Sequence, residues 1–195
     1  MHINRILGVG ALVVGLLAPR ASQAQFALGA TYVEIGGGVA FQPDSIGTHD
    51  VRNRTGVAGT LAVGRYVSPH LAYEGRLTFD HFGLTPETIP PCAPGLPRCG
   101  IASHEVDNLT LGADAQLSTN HVAIAPLLIV GAGVRRVEQL EEADGTQVAP
   151  YAELGAGINV PLGGVALALE GRIQFSSVRD DLPRWTAPIT LGLRF

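Results

Sequence analysis

Charged residues make up only 15% of this 195-residue sequence, so their placement is informative. Glu74 and Arg76 sit two apart in LAYEGRLTF (71–79), and Glu170 and Arg172 repeat that spacing in LALEGRIQF (167–175); the two nonapeptides agree at six of nine positions. At a separation of two, an acid and a base share one face of a β-strand. Glu34, Asp114 and Glu153 lie in segments of the same kind, each facing away from apolar neighbours, and Asp80 lies closer to a segment end. Guanidinium–carboxylate clasping is the chemistry these types support. It can serve as a static plug of ion pairs and trapped water, or as a gate in which an arginine exchanges carboxylate partners. Buried charge networks are more often structural, which favours the plug.

The remaining candidates point away from catalysis. Cys92 and Cys99 are the only cysteines and flank a Pro-rich hexapeptide, which predicts a loop disulfide if the chain is exported. The six histidines show no zinc spacing. His81 beside Asp80, and His104 beside Glu105, are the nearest to a metal pair, and exposed rim histidines are the simpler reading. We expect no metal and no cofactor. The acidic loop with Glu138, Glu141, Glu142 and Asp144 lacks a calcium-loop pattern and reads as solvated. All 13 basic residues are Arg, and the net charge of −4 leaves no basic stripe for nucleic acid. Arg52, Arg54, Arg135 and Arg136 fall at segment ends, where they could clasp lipopolysaccharide phosphates.

These side chains need elements to hold them. Residues 1–24 read as a signal peptide: Arg5, an apolar run from Leu7 to Leu17, then Ser22-Gln23-Ala24 as a small-x-small cleavage pattern. No later stretch approaches the ~20 apolar residues of a spanning helix. Residues 25–195 instead alternate with a period of two in eight segments, near 28–42, 54–67, 71–82, 104–118, 121–137, 148–160, 165–176 and 185–195. One face carries Val, Leu, Ile and Phe, and the other carries the acids and arginines mid-strand. Such charges would be ruinous against lipid or inside a greasy calyx, so they face a polar lumen. Connections alternate between short (VSPH, TN, PLGG) and long (near 43–53, 83–103, 138–147 and 177–184). That predicts an all-β, eight-stranded antiparallel up-and-down transmembrane barrel with its short turns in the periplasm. The segment 121–137 is apolar on both faces. A two-residue turn at Thr119-Asn120 would place Ala125 across from Asp114, sending Val122, Ile124, Leu128 and Val130 outward. A two-residue turn at Leu162-Gly163 would place Glu153 directly across from Arg172.

On these features the chain resembles the small eight-stranded outer-membrane barrels of the outer-membrane protein A type. The features that carry the resemblance are the export signal, eight alternating segments, GRYVSPHLAYEGR and the closing TLGLRF. It implies an outer-membrane location, insertion by the barrel-assembly machinery, and contact with outer-membrane lipids and lipopolysaccharide. Phe195, Leu193 and Leu191 match the terminal pattern that the machinery reads in that family. No periplasmic domain is expected after Phe195, and Arg194 is expected at the periplasmic mouth. Lipid A deacylases of similar build use His-x-Ser on one strand, and no histidine here has Ser two residues on. The expected function is therefore non-enzymatic, a monomer serving envelope integrity or surface interaction. The alternative is a narrow gated channel for ions or very small solutes.

Overall fold

The computed structural model describes residues 29–44, 52–83, 105–119, 124–139, 146–177 and 184–195. The export segment at 1–24 and the Cys92/Cys99 pair lie outside the described residues. Eight strands follow in order: β1 (Thr31–Asp44), β2 (Arg52–Ser68), β3 (Leu71–Phe82), β4 (Val106–Ser118), β5 (Ala125–Gln139), β6 (Thr146–Leu162), β7 (Val165–Ser176) and β8 (Trp185–Arg194). Each pairs antiparallel with its neighbours in sequence, and β8 returns to β1 to close the barrel. Two backbone hydrogen bonds extend that seam: Phe195 N–H donates to Val33 O at 2.8 Å, and Val33 N–H donates to Phe195 O at 3.1 Å. Closure leaves no strand edge, as a sheet in hydrocarbon requires.

The pleat then decides what faces where. Leu61, Leu77, Leu111, Leu154, Ile173 and Leu191 point outward and are exposed, while Ala62, Arg76, Thr110, Glu153, Arg172 and Thr190 on the same strands are buried within. No helix among the described residues is long and apolar enough to cross a membrane; the strands do so. β2 and β6 run 17 residues each, beyond the ~9–11 that span the bilayer, so they project past it.

Following one ladder around the wall shows the stagger. From Ala166 it passes through Arg194, Glu34, Ala62, Arg76, Gly112, Gly133 and Tyr151, and returns to β7 at Ser176, ten residues along. Such a stagger accompanies strongly tilted strands and an interior that side chains fill. Tyr32, Tyr66 and Ala72 pack together inside the end with the short turns. Ala40, Ala58, Phe82, Val106, Val137 and Ala149 form an apolar layer inside the opposite end. The buried charges lie between.

Two expected registers are corrected. Asp114 faces Gly131, not Ala125, and the last β4–β5 pair is Ser118 with Leu127, so the connection is longer than Thr119-Asn120. The slip is six residues, an even number, so the facing of β5 is unchanged: Leu128 and Val130 point outward, Leu127 and Ile129 inward. Between β6 and β7 the turn is Gly163-Gly164, closed by Leu162 opposite Val165, which puts Gln174 rather than Arg172 across from Glu153. Gly163 has φ +68°, a left-handed position that a residue without Cβ adopts at no steric cost.

Candidate functional site

The strands deliver three guanidiniums and five carboxylates to the middle of the lumen. Arg76 (β3) donates through Nε to Glu74 at 2.7 Å, through Nη1 to Thr60 at 3.0 Å and through Nη2 to Glu170 at 2.8 Å. Arg172 (β7) donates through Nη1 to Asp114 at 2.5 Å and also to Glu153, and through Nη2 to Glu170 at 2.9 Å. Arg194 (β8) donates through Nη2 to Glu34 at 2.6 Å and to Glu170 at 3.1 Å. Its guanidinium also stacks 4.3 Å above the Tyr32 ring. Glu170 is therefore the hub, accepting from all three arginines.

Neutral side chains add further donors to two of the carboxylates. Tyr32 Oη–H (2.9 Å) and Gln116 Nε2 (3.0 Å) donate to Glu74, and Gln174 Nε2 donates to Glu153 at 3.0 Å. Thr186 in turn donates to Gln174 at 3.3 Å. Space for the network comes from a gap in one ladder. Asp114, Gly131 and Glu153 lie side by side on β4, β5 and β6, and a Cβ on Gly131 would collide with the Asp114 carboxylate. The missing side chain lets the Asp114 and Glu153 carboxylates converge on Arg172, although Glu153 and Arg172 are diagonal rather than opposed.

All seven lumen residues read from the sequence, Glu34, Glu74, Arg76, Asp114, Glu153, Glu170 and Arg172, face inward and are buried. Each has at least one ionic partner among them. Sequence reasoning left out Arg194, expected at the mouth. It is 2% exposed and as central as the other two arginines, because the β1–β8 closure brings it opposite Glu34. Its inward parity was the available signal.

The rim arginines divide differently from expectation. Arg54 and Arg135 point into the barrel and are buried, so they are not offered to a lipid headgroup. Arg135 donates to Ser176 at 3.2 Å. Arg136, its neighbour, necessarily points outward, and pairs with Glu138 at 2.8 Å. The Arg52 side chain lies outside the described residues. Outside the lumen at the same end, His81 Nδ1 meets Asp107 at 2.7 Å. Among the described residues no three metal-ligating side chains gather at one point. Leu191 and Leu193 are exposed on the outward face beside the half-buried Phe195.

No family model and no curated protein sequence matches the chain. Solved structures do. Neisserial surface protein A aligns with TM-score 0.64 at 15% identity, over 84% of this chain and 95% of its own. A major outer membrane protein from Thermus thermophilus aligns with TM-score 0.51 at 14% identity, over 85% and 98%. The outer membrane enzyme PagL aligns at TM-score 0.49 and 9% identity, over 83% and 98%. The chain thus has the fold of the small eight-stranded outer-membrane barrels, as its alternating segments predicted.

Proposed function

We propose that the protein resides in the bacterial outer membrane as a non-enzymatic, monomeric barrel with a permanently filled lumen. It would serve envelope integrity or surface interaction through the four longer connections between its strands. The supporting observation is the Glu170 hub, which ties β3, β7 and β8 to one another through the middle of the lumen. With an aromatic layer at one end and an apolar layer at the other, a solute path would have to break several buried ion pairs at once. Breaking such a pair costs about 3–5 kcal/mol. On the outer surface, Arg136 is the arginine we assign to lipopolysaccharide phosphates. Leu191, Leu193 and Phe195 are the residues we assign to recognition by the assembly machinery.

Deleting the gene in its host tests this reading. The expected result is detergent or antibiotic sensitivity with lipid A of unchanged mass. A lipid A mass shift on deletion would reveal an enzyme and end the non-enzymatic assignment.

A further inference from the structure

The outward face carries a groove of about 690 Å³ on the wall formed by β1 to β5. Its floor is Gly75, Ala113 and Ala115, and Tyr73 and Val130 stand at its sides. The floor is low because Gly75 pairs with Ala113, and Ala113 with Ala132, so small residues succeed one another along that outward ladder. The neighbouring ladder Leu61, Leu77, Leu111 and Val134 is filled by large residues and closes the groove on its inner side.

Arg65 closes the groove at the short-turn end, opposite both Thr31 and Tyr73 in register. It is exposed. It has no ion pair or side-chain hydrogen bond among the described residues. At this end it is also the only outward-facing arginine among them, whereas Arg136 at the other end is paired with Glu138. Arg65 lies three residues before the end of β2, and Ala113 five residues before the end of β4. At about 3.3 Å per residue and a tilt near 40°, Arg65 lies about 8 Å and Ala113 about 12 Å inward from their strand ends, so the apolar floor runs about 5 Å past the cation. An unpaired cation toward the short-turn end, beside a low apolar floor that leads inward from it, has the charge and shape complement of a phosphodiester with the start of an acyl chain attached.

We propose that this groove is a binding site for one anionic glycerophospholipid of the periplasmic leaflet. Arg65 holds the phosphate there, and an acyl chain lies over Gly75, Ala113 and Ala115. The proposal rests on the membrane placement above, and heat-modifiable migration of each variant keeps failure of that placement distinct from failure of the site. Because Arg65 and Ala113 both face outward, Arg65→Gln and Ala113→Leu remove the charge or fill the groove without touching the lumen.

The test is native mass spectrometry of the detergent-solubilised full barrel with palmitoyl-oleoyl phosphatidylglycerol. We expect a single retained lipid on the wild type, at least fivefold less on each variant, and no comparable retention of the matching diacylglycerol. Equal retention on wild type and both variants, or equal retention of diacylglycerol, overturns the site. Chemical cross-linking that captures wild-type dimers but not Ala113→Leu dimers would assign the groove to a second copy of the chain, and would overturn it as well.

Discussion

Arg76 Nη2 and Glu170 Oε2 meet at 2.8 Å although they stand on β3 and β7, four strands apart in a ring of eight. Opposite walls of the barrel are thus joined by direct contact. Arg172, beside Glu170, approaches Glu74, beside Arg76, at 3.5 Å. The two matching Glu-x-Arg segments seen in the sequence therefore interlock across the lumen.

Glu170→Gln should be the most damaging single substitution in the lumen. It leaves three buried arginines with a neutral amide at their shared acceptor, and loss of one partner from a buried pair costs about 3–5 kcal/mol. Urea unfolding in detergent or vesicles reads this as a clear fall in midpoint. A midpoint matching wild type would show that the hub contributes little to stability.

Gly131→Ala should destabilise, because the new methyl group displaces Asp114 from Arg172; overpacking of this kind costs about 1–3 kcal/mol. Gly59→Ala is the control, since a Cβ there meets nothing within 4 Å. It should be neutral. Equal effects at the two sites would count against the convergence of Asp114 and Glu153 over Gly131.

Strand phase was legible in seven segments; in 121–137, apolar on both faces, it was ambiguous and rested on the bulkier side and an assumed turn, and register was not legible. Alternation fixes which residues face the lumen, and it survives any even slip. For that reason β5 faces as expected although Asp114 pairs six positions from where a two-residue turn would put it. Turn length alone could have set the register, and Thr119-Asn120 and Leu162-Gly163 both misled. Arg135 and Arg136 show the same distinction. Their place near a strand end suggested a common rim role, yet neighbouring residues on a strand cannot share a face, and only Arg136 is outside. Arg194 was legible as inward. Its company with Glu34 and Tyr32 depends on the closing β1–β8 register, which links residues 160 apart in sequence.

The seam makes a separable prediction about Phe195. Phe195→Ala keeps both backbone bonds to Val33, whereas deletion of the residue loses them. Spontaneous refolding into vesicles should be slowed by deletion and little changed by Phe195→Ala. Insertion in cells should suffer from both, if the ring is part of the assembly signal. Normal cellular insertion of both variants would remove Phe195 from that role.

The most direct test of a permanently filled lumen is single-channel recording in planar bilayers. Wild-type protein, and Arg172→Ala once shown to be folded by heat-modifiable migration, should give no discrete current steps, since Arg76 and Arg194 still hold Glu170 when Arg172 is shortened. Reproducible conductance from the wild type, abolished or altered in Arg172→Ala, would contradict the plug and identify the network as a gate.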